Sequence, residues 1–197
     1  MRATMWGILA LLAGCAGPGT ELQVPIPPHQ GVAGAFAGAP PGVVSVAAFP
    51  EAGGTGVLPG AIGERSTIGD ISMGQVRIAP SPARLLQDAV VADLIASGWN
   101  VLPGGPAPVE LAGTVGRFAL RTDATALYWD VTLDAGLGVR LVAGGRQAAR
   151  DFAAHCQERT YVWPGSEIIA RVVAQCVDEL ARDVRQDAAL AQALGTP

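Results

Sequence analysis

Between residues 127 and 141 apolar and polar residues alternate with a period of two. Leu127, Trp129, Val131, Leu133, Ala135, Leu137, Val139 and Leu141 share one side; Tyr128, Asp130, Thr132, Asp134 and Arg140 share the other. Successive side chains of a strand point to opposite faces, so this run demands a long strand with one buried face. Gly144-Gly145 follows at once. Two glycines suit the primed two-residue turn that joins antiparallel strands, because both central positions need positive φ. The chain then returns through residues 146–160. A two-residue turn sets the register. Leu133 then faces Cys156 and Leu137 faces Phe152, while on the polar face Asp130 meets Arg159 and Asp134 meets His155.

Residues 109–120 read as the strand before this hairpin. Their apolar phase shifts from Leu111 and Val115 to Phe118 and Leu120, which predicts a bulge near Gly116. Shorter strands are expected at residues 43–49, stopped by Pro50, at 71–78, and at 99–102, stopped by Pro103-Gly104-Gly105-Pro106. Ser81-Pro82 opens a helix, the serine capping free N–H groups and the proline suiting the first helical position. Leu86, Val90 and Leu94 recur every four residues, and Gly98 closes the helix. A second helix follows Trp163-Pro164-Gly165-Ser166, with Ile169, Val172, Val173, Cys176, Leu180 and Val184 as its apolar stripe. Glu167–Arg171 and Asp178–Arg182 are i, i+4 pairs on its wet side. The expected fold class is α+β: a mostly antiparallel sheet with a three-strand meander and two helices packed on one face.

Cys176 lies on the helix stripe, and the hairpin register turns Cys156 to the same core. A disulfide between Cys156 and Cys176 fits this placement; two buried thiols would fit it as well.

The N-terminus fixes an address. Met1-Arg2 is a minimal charged segment, and Met5-Trp6-Gly7-Ile8-Leu9-Ala10-Leu11-Leu12 is an apolar run too short for a bilayer span of about 20 residues. Leu12-Ala13-Gly14-Cys15 closes it in the order of a lipobox. Cleavage after Gly14 would leave Cys15 first, carrying acyl chains such as palmitate. The organisation expected is a signal peptide at 1–14, a Pro/Gly-rich tether at 15–42 and one domain at 43–197. Pro25-Ile26-Pro27-Pro28 lies within the tether, which is expected to hold no regular element. Ala16 and Gly17 follow the cysteine with no Asp among them, which favours the periplasmic face of the outer membrane. With Cys15 acylated, Cys156 and Cys176 are an even pair in an oxidising compartment.

Net charge is −4, and all 13 basic residues are Arg. An acidic chain without a basic stripe argues against nucleic acid. The absence of Lys removes Schiff-base and phosphate-loop lysines. Gly53-Gly54-Thr55-Gly56-Val57-Leu58-Pro59-Gly60 lacks the G-x-G-x-x-G spacing and reads as a flexible loop. His155 and Cys156 are neighbours on a strand and point apart, so they form no nucleophilic pair. His29 has no companion ligand nearby, and a metal site needs three or four convergent ligands. No catalytic, cofactor or metal site is expected. The polar face of Tyr128, Asp130, Thr132 and Asp134 is either a partner-docking surface or a hydrated face closed by its own arginines.

The chain resembles the YajG family of lipoproteins through Leu12-Ala13-Gly14-Cys15-Ala16, Ser81-Pro82-Ala83-Arg84-Leu85-Leu86-Gln87-Asp88, residues 98–106 (Gly98-Trp99-Asn100-Val101-Leu102-Pro103-Gly104-Gly105-Pro106), and Asp183-Val184-Arg185-Gln186-Asp187. The resemblance implies an address and a shape, and no reaction. The expected role is a non-enzymatic, lipid-anchored, periplasm-facing accessory or structural module acting on an envelope protein partner. The alternative is an auxiliary lipoprotein of an ABC-type lipid-transport system, binding acyl chains between sheet and helices.

Overall fold

In a computed structural model of the protein, residues 21–36, 39–51, 60–69 and 71–194 are described. Three long strands form the frame: β6 (Val109–Ala124), β7 (Trp129–Ala143) and β8 (Arg146–Thr160). The β7–β8 register is the one the alternation and the two-glycine turn dictate, with Leu133 opposite Cys156, Leu137 opposite Phe152, Asp130 opposite Arg159 and Asp134 opposite His155. Gly144 and Gly145 both hold positive φ, 54° and 81°, as the primed turn requires. β6 and β7 are also antiparallel, and their register slips between Val115 and Phe118, around the expected bulge.

The rest of the sheet departs from the expectation. Ahead of β6 lie β1 (Leu22–Pro25), β2 (Val43–Val46), β3 (Ala61–Ser66), β4 (Ser72–Ala79) and β5 (Asn100–Leu102). The eight strands form one sheet whose path runs β1-β4-β3-β6-β2-β5, with β7 and β8 continuing from the far edge of β6. The β1–β4, β2–β5, β2–β6 and β3–β6 pairings are parallel. The sheet is therefore mixed, not mostly antiparallel. Nor is a separate three-strand meander its unit. β6 is long enough to hold β7 along one edge while β2 takes the first part of its other edge and β3 the last. Parallel neighbours need crossovers rather than tight turns. Nothing in a strand's own alternation announces which distant strand will sit beside it.

Helix α1 (Pro82–Ala96) starts as expected, with the Ser81 side chain accepting from the Arg84 N–H and proline in the first turn. It ends at Gly98, whose φ of 87° is one that side-chain-bearing residues rarely take. α2 (Ser166–Gln186) buries Ile169, Val172, Val173, Cys176, Leu180 and Val184, the stripe read from sequence. A short third helix, α3 (Ala188–Ala193), is capped by Asp187. α1 lies on β5 and β6, α2 on β7, β8 and β1, and the two long helices pack on each other.

The stretch read as a tether enters this fold. β1 adds a parallel strand to β4, and Val24, Ile26 and Phe36 are buried in the common core. Burying an apolar side chain of this size is worth about 1.5–3 kcal/mol, and this burial adds to the strand pairing in holding a Pro-rich segment that could not order itself alone. Prolines at the strand end and beyond cost little here, because among the described residues β1 is an edge strand, paired with β4 alone. Cys15 and most of the glycine run beginning at Gly53 lie outside the described residues. No described helix is long and apolar enough to cross a membrane.

Candidate functional site

The described residues present three polar or redox features and one groove. The first is the Cys156–Cys176 pair. Cys156 comes from β8 and Cys176 from α2, their Cα atoms lie 5.7 Å apart, and the structure joins them as a disulfide. Both residues are buried. The bond staples the last long helix to the last long strand.

The second is the polar face of β7. Arg159 donates to both carboxylate oxygens of Asp130 at 2.8 Å, and its guanidinium lies 3.9 Å from the centre of the Tyr128 ring. The hydrogen bond to Arg159 holds the Asp130 carboxyl below the usual range, against a smaller opposing effect of desolvation. Asp134 bonds His155 Nδ1 at 2.7 Å, and Arg117 and Arg121 stand 3.5 and 3.7 Å away. The bond to His155 is the main cause of its lowered pKa. Thr132, expected on the same open face, is buried. The four residues thus sit along one face of the hairpin, and its carboxylates are neutralised by the molecule's own cations.

The third feature was not expected. Asp93 lies on the buried side of α1, a full two turns after Leu86, and is 2% exposed. A carboxylate there must be paired. One oxygen accepts from His29 Nε2 at 2.9 Å and from the Val32 N–H at 2.7 Å; the other accepts from Arg185 Nη1 at 2.7 Å. His29 Nδ1 faces Asp178 at 2.6 Å. An ionised carboxylate only accepts, so an imidazole between two of them needs both N–H groups, and the cationic form suits the geometry. Burial works against that cation, yet the bonds to Asp93 and Asp178 outweigh it and raise the His29 pKa above its ordinary 6.5. Two further contacts fasten the same segment. The Ala35 N–H donates to Ser97 Oγ at 2.7 Å, and the Phe36 N–H donates to the Arg185 carbonyl at 3.1 Å.

Two expectations fall here. His29 has companions, brought from α1 and α2. Asp178 turns to His29 rather than to Arg182, which instead stands near Glu179 and Asp183. Glu167 and Arg171 do pair, at 3.4 Å, though Arg171 bonds Glu158 more closely. The available signal was an Asp at an apolar position of α1, which required a cation from elsewhere.

Between the His29 segment and α2 lies an open groove of about 1000 Å³. Ile26, Pro27, Pro28 and Val32 form one wall; Glu158, Arg171, Asp178, Glu179, Arg182 and Arg185 bring charge to the other. It is open to solvent and offers both apolar and charged contacts. No group of three or more His, Cys, Asp and Glu among the described residues is placed to hold a metal ion.

Comparison with known proteins sets this fold among others. A crystal structure of protein XCC0632 from Xanthomonas campestris, of family DUF330, is similar over 88% of this chain and 96% of its own, at 18% identity and a TM-score of 0.58. A second, described only as an uncharacterized protein, matches over 85% and 98% at 15% identity and a TM-score of 0.50. At these identities the likeness concerns the fold. No curated protein matches the chain. The model of the family Lipoprotein_16, described as uncharacterized lipoprotein, matches residues 65–195, from β3 to the end of α3. The chain belongs to this family of uncharacterized lipoproteins.

Proposed function

We propose that this protein is a YajG-like lipoprotein, held by acyl chains on Cys15 at the periplasmic face of the outer membrane, and that it works as a non-enzymatic accessory module through contact with an envelope protein. The observation that carries the reading is Leu12-Ala13-Gly14-Cys15 standing ahead of a domain that belongs to a lipoprotein family. The ion pairs of the β7 face speak against Asp130 and Asp134 as catalytic groups, since a general acid or base needs a proton position open to substrate.

The alternative, an acyl-chain-binding auxiliary of an ABC-type lipid-transport system, calls for an apolar cavity between sheet and helices. The groove beside α2 is open and sets the charges of Arg171, Asp178, Glu179, Arg182 and Arg185 against an apolar wall of Ile26, Pro27, Pro28 and Val32, a mixed lining that suits an amphipathic protein segment. Crosslinking in intact cells, followed by identification of what is joined to residues of this groove, tests the choice. A reproducible envelope protein supports the module. Recovery of phospholipid alone supports the alternative.

A further inference from the structure

Six of the eight large apolar side chains that stand exposed among the described residues lie at one end of the sheet: Ile68, Ile71, Leu127, Tyr161, Val162 and Trp163. They belong to three different connections. Ile68 and Ile71 sit in the β3–β4 turn, Leu127 in the β6–β7 turn, and the other three between β8 and α2. Pairing brings these together: Ser66 bonds Thr122 where β3 meets β6, and Trp129 stands opposite Thr160 and Ala124. Ring contacts tie the end into one surface. Trp129 and Trp163 lie 5.6 Å apart, Tyr128 and Tyr161 6.4 Å, and Arg65 and Arg159 rest against Trp163 and Tyr128. The chain has two Tyr and four Trp in all. Both tyrosines and half of the tryptophans are therefore here, with Leu127 76% and Tyr161 74% exposed. A patch of this kind marks a contact surface.

The direction of the chain says which contact. β1 runs parallel to β4, with Leu22 beside Val76. The polypeptide therefore enters β1 from the side of Ser72, the same end of the sheet that carries the β3–β4 turn. Cys15 precedes Glu21 by six residues, a reach of about 20 Å at most. Resting on the Cys15 anchor proposed above, we infer that this end of the sheet lies against the leaflet that holds the acyl chains, with its Tyr and Trp rings at headgroup depth. Amphipathic rings favour that depth, and the exposed Arg159 can reach it with its charge in water. Acyl chains on a short leash hold the domain near the leaflet without fixing its orientation, and a second contact through this patch would fix it. The groove beside α2 would then be presented in a fixed orientation to its partner.

The test uses the full acylated protein reconstituted into phosphatidylethanolamine/phosphatidylglycerol vesicles, with and without phosphatidylcholine brominated on its acyl chains. Flotation reads the anchor; bromine quenching of tryptophan emission reads the patch. Expected is quenching that Trp163→Phe largely removes, and that Leu127→Asp with Tyr161→Asp, both on exposed sites, abolishes while flotation persists. Flotation without quenching would overturn the patch and leave the anchor standing. Failure to float would overturn both. Quenching unchanged by either variant would place another surface at the bilayer. Self-association in detergent that the Asp pair abolishes, without quenching in vesicles, would assign the patch to a second copy and overturn the proposal.

Discussion

Asp93 and His29, separated by 64 residues, meet at 2.9 Å where α1 faces the segment after β1. The pair does more than neutralise a carboxylate. It fastens residues 26–36 across the two helices, because Asp93 also takes the Val32 N–H and Arg185.

This clamp predicts a pH dependence. His29 has a raised folded pKa, so its stabilisation is full below the unfolded value near 6.5 and fades as pH rises through the folded value. His29→Gln should cost about 1–3 kcal/mol at pH 6, the range for losing a charge-assisted bond to a buried group. The difference from the wild type should shrink toward alkaline pH. Thermal unfolding between pH 5.5 and 9 checks this; a constant difference would deny His29 its proton-linked role.

Arg185→Leu should be more damaging than His29→Gln at alkaline pH. There the imidazole is losing its charge, and without Arg185 the buried Asp93 would lose its remaining cation. The measurement is urea unfolding of both variants at pH 9.

The Cys156–Cys176 link closes a loop over a separation of 20 residues. Loop-closure entropy of that size corresponds to about 3 kcal/mol, or roughly 6–12 °C in Tm for a domain of this length. Cys156→Ser with Cys176→Ser should lower Tm by that order. Thiol labelling of the periplasmic form should stay near zero until reductant is added; quantitative labelling without it would reject the bond.

At the acid end the sign reverses. Asp130 and Asp134 have lowered pKa values from their bonds to Arg159 and His155. Their contribution is present above the ordinary carboxylate range and is lost as pH falls through the folded values. Asp134→Asn should flatten the decline of stability between pH 5 and 3, read by circular dichroism. Both carboxylates are near water, so the effect should be small and should weaken with salt.

Cys15→Ser should release the protein from membranes in cell fractionation. Retention in the membrane pellet would count against the anchor, as would a mature N-terminus without acyl groups in mass spectrometry.

Local rules were enough for the β7–β8 hairpin. Alternation chose the face, Gly144-Gly145 chose the turn, and together they left one register, which also put Cys156 toward α2. The boundaries of α1 followed from Ser81, Pro82 and Gly98, whose backbone preferences act within one turn. The polar residues of β7 were legible by number, but the burial of Thr132 was not, because alternation alone says nothing of what packs on the second face. β1 and β3 escaped because each is short and draws its definition from strands far along the chain. Leu22–Pro25 is a strand only beside Ser72–Ala79, and its prolines argue locally for a linker. The His29 clamp escaped for the same reason, since its four members come from three segments between residues 29 and 185.

Sequence alone thus determined the two long helices, the long strands, the hairpin register and the cysteine placement, all consequences of forces acting over a few residues. Tertiary structure alone decided the mixed order of the sheet, the capture of the N-terminal segment and the gathering of aromatic side chains at one end. Those depend on which distant surfaces exclude water together, and no local pattern encodes that.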